Sequence, residues 1–433
     1  DYVSYFHSVD FPFVNAFMQT ILRDNNVTSQ NGRGESDKNL LIGNELMVSY
    51  FLQTRSFADV FADSTLPMET LEPILLLESR EFLNRLMVKG VSVDSVRKFT
   101  LAYLAERLFR VVDFEGLADV FQQRFGVDMK QVLSIQYKRK GLPSYIVEPL
   151  GEDVVPGDLE VRFSRFRVYN DSDVDGFIHV EKSIPVDDGS PFGWNKRTQN
   201  YQYEAYELKA HTGIEVRTRT YGRTTLNTNL ACNVPSVYSI NFAGYNDDTS
   251  QYVRPLRKEA FLPLGNELIV DNVDDGCVIK QTEQTWVERW KEVDMMPWEK
   301  YCEVESWLNT TRWRELVSSN AWGTPLRTCL FKGVGRGLCA VEWHVQIPQA
   351  GEYEIWVYIP DLAMFDKDAV QLYTIKQNGW KEMVELGSLY KDGWMALGRF
   401  YCQEGECVVS LSDEGKETQI IYADAVKWVR ENE

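Results

Sequence analysis

Three groups of residues in this chain have types and spacings that can do chemistry. The first is the run Asn44 to Phe51, NELMVSYF, in which Glu45 can serve as a metal-ligating carboxylate. Catalytic zinc needs three protein ligands and an open position for water, commonly two histidines one helical turn apart plus a carboxylate. The only histidines, His7, His179, His211 and His344, are far apart, and no His-Glu-x-x-His run occurs. The second group is Asp271, Asp274, Asp275 and Asp424, whose oxygens suit calcium; in these contexts turn and capping roles are favoured over ligation. The third is aromatic: Trp356, Tyr358, Trp380 and Trp394 can stack on sugar ring faces, although in a small sandwich most such rings fill the core. No Ser/His/Asp or Cys/His set has the spacing of an activated nucleophile. Gly333, Gly335 and Gly337 lack the strand-to-helix context of a phosphate loop.

The elements that must position these residues fall into three stretches. Up to about residue 140 the pattern is helical: Phe99, Tyr103 and Leu104 share a face in RKFTLAYLAERLF, Asp113 and Asp128 have the type and place of helix N-caps, and Gly126 that of a helix stop. The segment 26–38 is polar and rich in Asn, Ser and Gly, as an exposed loop is. After Gly141-Leu142-Pro143 the chain alternates with period two, in VRFSRFRVY and EVRTRTY, with a turn at 171–176. From Asn266 a tryptophan-rich stretch leads into further strands; in EYEIWVYI, Tyr353, Ile355 and Val357 face one way. The expected fold is therefore multidomain α+β: an all-α domain over 1–143, then two all-β sandwich domains over 144–265 and 266–433.

Residues 40–147 resemble the part of an M1 aminopeptidase, a gluzincin metallopeptidase, that follows its zinc helix. Asn44, Glu45, Ser49 and Tyr50 fit that family's Trp-x-Asn-Glu-Gly-x-Ala-x-Tyr segment, with Leu46 in place of Gly, and the likeness continues to LPSY at 142–145. Counted back from Glu45 with the family's spacing, the two histidine positions fall on Leu22 and Asn26, and the stretch expected to hold the transition-state tyrosine, PILLLESREF, has none. The resemblance implies a degenerate scaffold, with Glu45 a vestigial ligand position, no bound metal or cofactor and no catalysis. The alternative is a zinc aminopeptidase whose metal helix lies outside this chain.

Residues 267–433 resemble the golvesin/xanthan-lyase C-terminal type of domain, described as carbohydrate-binding-like. The resemblance rests on IVDNVDDG, FKGVGRGLCAVEWHVQIPQAGEYEIWVYIP, GWMALGRFY and YADAVKWV in that order. The whole chain resembles the C-terminal region of Bacteroidota membrane proteins that join an ABC-type permease to an M1-peptidase-like extracytoplasmic part. That likeness implies an extracytoplasmic chain, tethered to a membrane through another part of a longer protein, that binds a cell-envelope peptide or glycan; a carbohydrate-binding module as the main activity is a further alternative.

Composition narrows the partners. The 433 residues carry a net charge of −18, which repels nucleic acid and anionic membranes. A hydrophobic fraction of 44% and an aromatic fraction of 13% are ample for packed cores. The start at Asp1, without Met or signal peptide, reads as a mature chain or an excised piece. The seven cysteines show no CxxC spacing; most are expected to be small buried residues, with room for one disulfide among Cys302, Cys329, Cys339, Cys402 and Cys407.

Overall fold

The structure is a computed structural model that describes residues 12–23, 48–107, 110–184, 200–220, 224–228, 232–233, 237–240, 242–261, 266–282, 286, 310–318, 320–323, 327–360, 362, 370–387, 393–415 and 420–431. The chain divides into two compact units, Asp1–Ala260 and Phe261–Glu433. No helix among the described residues is long and apolar enough to cross a membrane.

The first unit opens with helices α1 (Pro12–Arg23), α2 (Phe57–Phe61), α3 (Met68–Val88), α4 (Val93–Ala105), α5 (Phe114–Phe125) and α6 (Met129–Lys138). Their ends follow the sequence. The Asp113 carboxylate accepts from the Gly116 N–H at the start of α5, and Asp128 accepts from Gln131 N–H at 3.0 Å to start α6. Gly126 ends α5 in the left-handed conformation, φ 69°, which a side chain would disfavour. Tyr103 is buried in the helical core with its ring 5.9 Å from that of Phe99, and Phe99 and Leu104 pack against the same core. A buried ion network ties α3 to the end of α6: Glu81 accepts from Arg139 at 2.6 Å and from Arg85 at 2.8 Å.

Strands follow in the same unit. One sheet runs in the order Phe242–Tyr245 (β8), Tyr145–Val155 (β1), Asp158–Asn170 (β2), Gly213–Thr220 (β5) and Tyr252–Leu256 (β9); the other runs Asn200–Leu208 (β4), Gly176–Ile184 (β3), Thr224–Thr228 (β6) and Val237–Ser239 (β7). Pairing is antiparallel except where β8 (Phe242–Tyr245) lies parallel to β1. The expected break at 143/144 falls inside this unit. The strands' own core is small, centred on Tyr145, Phe166, Val168, Ile178 and Val216, and the strands lean on the helices: the Arg85 guanidinium sits 5.4 Å from the Phe177 ring. The change of sequence pattern there marks a change of secondary structure within one compact unit.

The second unit is a sandwich. One sheet has the order β10-β21-β15-β18, with β10 Glu267–Val270, β21 Val426–Arg430, β15 Gly351–Ile359 and β18 Gly393–Cys402. The other has the order β11-β14-β19-β16-β17, with β11 Cys277–Lys280, β14 Ala340–Ile347, β19 Gly405–Ser412, β16 Gln371–Gln377 and β17 Trp380–Leu386. A small third sheet pairs β12 (Arg314–Val317), β13 (Thr328–Gly333) and β20 (Ile420–Ala423). Strand β15 alternates strictly: Tyr353, Ile355, Val357 and Ile359 enter the core with Trp343, Tyr373 and Trp428, while Glu352, Glu354, Trp356 and Tyr358 face outward.

Candidate functional site

The outward face of the β10-β21-β15-β18 sheet carries a cluster of aromatic side chains. Register decides its membership. Tyr358 pairs with Trp394 of β18, and Trp356 pairs with Ala396 on one side and Lys427 of β21 on the other, so all project from the same face as Tyr358 and Trp394. A register shift between Ile355 and Trp356 on β15 skips Leu397 and turns that residue inward. A third tryptophan joins from outside the sheet: Trp322, in the loop between β12 and β13.

Trp322, Tyr358 and Trp394 form a closed triangle. Ring centroids lie 5.5 Å apart for Trp322–Tyr358, 5.0 Å for Trp322–Trp394 and 5.4 Å for Tyr358–Trp394, with interplanar angles of 50°, 65° and 79°. Tilted and edge-to-face packing suits the ring quadrupoles and braces each ring against the others. All three remain half-buried, unlike the fully enclosed Trp343 and Trp428 on the core side. The Lys427 ammonium lies 4.7 Å from the Trp394 centroid and 5.8 Å from that of Trp356, a cation–π arrangement, and pairs with Glu267 at 3.6 Å.

Two buried carboxyl groups hold the loop that brings in Trp322. Asp424, 2% exposed, accepts from the Trp322 N–H through Oδ2 at 3.0 Å, while its Oδ1 has no hydrogen-bond partner among the described residues. Asp271 sits against Gly323, φ 102°, so closely that a Cβ there would lie 2.3 Å from Asp271 Oδ2. Burial, and secondly the charge of Asp274, pushes Asp271 up to about 7; burial, and secondly Asp271, holds Asp424 well above the ordinary carboxylate range. Asp274 accepts from the Asp271 N–H at 2.8 Å and closes the turn before Cys277, and Asp275 is exposed. Among the described residues no group of three or more His, Cys, Asp or Glu side chains is placed to hold a metal ion.

The residues singled out from sequence are thus separated in part. Trp356, Tyr358 and Trp394 share one face. Trp380 lies on the edge strand β17 of the other sheet, 44% exposed, with its ring 6.2 Å from that of Phe400. Ser49 and Tyr50 fall in a helical segment at 48–52, Leu22 lies in α1, and Glu45 and Asn26 lie outside the described residues, as do Cys302 and the loop at 26–38. Trp322 was not singled out, since nothing in its neighbourhood of sequence distinguishes it from the other tryptophans.

The Golvesin C-terminal domain family matches residues 303–430, the part of the chain that holds the aromatic triangle. A search of curated proteins finds no match. Among solved structures, the chain is similar to a Paenibacillus xanthan lyase at 11% identity, covering 67% of this chain and 26% of the lyase, with a TM-score of 0.29. It is also similar to CBM35 from Cellvibrio japonicus Abf62, at 12% identity over 38% of this chain and 94% of the module, with a TM-score of 0.23. The chain therefore spans well under two thirds of the lyase's own length.

Proposed function

We propose that this chain is a carbohydrate-binding protein and that the outward face of its second unit is the binding surface. The observation that carries this reading is the Trp322–Tyr358–Trp394 triangle. Three rings, braced against one another and half open to solvent, offer a rigid apolar platform for a pyranose face, and a rigid platform loses little entropy on binding. Lys427 adds a hydrogen-bond donor beside it. The match of residues 303–430 to the Golvesin C-terminal domain supports the same reading.

The test is a glycan array probed with the full chain, followed by titration of the best ligand. Trp322→Ala and Trp394→Ala are each expected to weaken binding at least about tenfold, the loss of about 1.4 kcal/mol. Trp380→Ala, on the other sheet, is expected to change nothing. An array with no glycan bound, or an equal loss at Trp380, removes the reading.

The proposal extends to the first unit as a non-catalytic partner of the binding surface in an extracytoplasmic, membrane-tethered protein. Its support is the order and spacing of residues 40–147 together with the missing His-Glu-x-x-His run. Metal analysis of the purified chain is the check: stoichiometric zinc lost on Glu45→Ala would instead favour a peptidase.

A further inference from the structure

The second unit holds two cysteines whose placement has a consequence independent of sugar binding. Strand β18 ends on Cys402, which pairs with Gly351 in the first sheet of the sandwich; β19 carries Cys407, which pairs with Val345 in the second. The two sheets face each other across one core, and both side chains lie in it, Cys402 2% exposed and Cys407 fully enclosed. Their thiols are within hydrogen-bonding reach of each other. The short connection between them is held from outside. Gln377 accepts from the Gln403 N–H at 2.8 Å and donates to the Gln403 carbonyl at 2.8 Å, while Asn378 donates to Gln403 Oε1 at 2.7 Å. Gly405 takes φ 114°, a conformation other residues rarely adopt, and turns the chain back into β19. The fold itself therefore brings the two sulfurs together.

We propose that Cys402 and Cys407 form an intramolecular disulfide when the chain matures in an oxidising compartment, stapling the two main sheets of the second unit across the β18–β19 turn. The oxidant required is a small-molecule or protein disulfide. The thiolate of one cysteine attacks one sulfur of that donor; the donor S–S bond breaks, a mixed disulfide forms, and the first donor thiol leaves with a proton. The other cysteine, on losing its own proton, then attacks the protein sulfur of the mixed disulfide and expels the second donor thiol. Two electrons and two protons pass to the donor, and one S–S bond replaces two thiols. The enclosed position of both sulfurs places this exchange before the turn closes during folding, and afterwards shields the bond from reductants.

Both cysteines fall in one tryptic peptide, between Arg399 and Lys416. The full chain is equilibrated during refolding with equal concentrations of reduced and oxidised glutathione, acid-quenched, alkylated in denaturant, digested and weighed. The expected peptide carries no alkyl group and is two hydrogens lighter than its reduced form, with more than about ten such peptides for each dithiol. Dithiothreitol before alkylation should restore two alkyl groups. Wild type should melt several degrees lower in reductant, whereas Cys402→Ser should melt at the same temperature with or without it. A doubly alkylated peptide at redox equilibrium, either cysteine linked to a different peptide, or a wild-type melting temperature indifferent to reductant overturns the staple.

Discussion

The backbone N–H of Trp322 donates to Oδ2 of Asp424 at 3.0 Å, across 102 positions of sequence. This bond joins the loop between β12 and β13 to the loop between β20 and β21, and it places the Trp322 ring on Tyr358 and Trp394. Asp424→Ala should therefore weaken sugar binding through Trp322 while leaving the ring itself present. The lost bond and the emptied carboxyl site should also lower stability by about 1–3 kcal/mol. Gly323→Ala, whose Cβ would meet Asp271 Oδ2, should do the same by displacing the loop. Isothermal titration beside urea unfolding checks both; variants that bind like wild type would show that Trp322 needs no such anchor.

Asp271 makes the stability of the second unit fall as pH rises. In the unfolded chain its proton leaves near pH 3.8, and in the folded chain the group is pushed up to about 7 by burial and the Asp274 charge. Between those values the folded state binds more proton, so stability is highest below the lower value and declines toward pH 7. Asp424, also raised, acts in the same direction. Asp271→Asn should flatten the decline by up to a few kcal/mol. Every tryptophan but Trp194 lies in the second unit, so urea titrations followed by tryptophan fluorescence between pH 4 and 8 isolate it. An unchanged slope in the variant would rule out Asp271 as its source.

His179 gives the first unit the opposite slope. It is 5% exposed on β3, stacked on Phe177 at 6.1 Å and 10°, with no hydrogen-bond partner at Nδ1 among the described residues. Burial lowers it from 6.5 to about 4. Above pH 6.5 both states are neutral and its contribution is complete; as pH falls toward 4 the unfolded chain takes up the proton first and stability is lost, by at most about 3 kcal/mol. The stability of wild type relative to His179→Phe should rise between pH 4 and 6.5, measured by urea unfolding followed by helical circular dichroism, to which α1 to α6 of this unit contribute. A pH-independent difference would mean that the imidazole is charged or neutral in both states alike.

How much of this was legible in the sequence follows from how local each determinant is. The caps at Asp113 and Asp128, the stop at Gly126 and the inward face of β15 depend on neighbours a few positions away, and residue type alone gives them. Trp394 and Trp380 look equivalent in sequence, yet pairing with β15 puts one on the aromatic face and an edge position puts the other on the opposite sheet. Trp322 reaches the cluster through a loop held by Asp424 and Asp271, long-range contacts that no local pattern encodes. The Glu45 motif pointed to chemistry in a segment outside the described residues, while the aromatic triangle lies in the part matched by the Golvesin C-terminal domain.

The glycine-rich run FKGVGRG, which resembles a phosphate loop only in composition, wraps a buried ion pair. Lys332 Nζ lies 2.8 Å from Asp413 Oδ2, with the side chains 4% and 2% exposed. Further bonds support the pair: Lys332 also donates to the Gly333 carbonyl at 3.0 Å, and Asp413 Oδ1 accepts from the Cys339 N–H at 3.1 Å. Gly335 is required where the backbone passes the carboxylate, since its N–H donates to the Asp413 carbonyl at 2.6 Å and a Cβ there would lie 2.1 Å from Asp413 Oδ2. Lys332→Met leaves a carboxylate in a low-dielectric site without its cation, and should cost about 3–5 kcal/mol. Gly335→Ala must push the ion pair apart or bend β13, and should cost about 1–3 kcal/mol. The double variant Lys332→Met/Asp413→Leu removes both charges, so it should recover much of the first loss. Urea unfolding followed by tryptophan fluorescence measures all three in the second unit. A loss under about 1 kcal/mol for Lys332→Met would place the pair in the range of exposed surface ion pairs and contradict its burial.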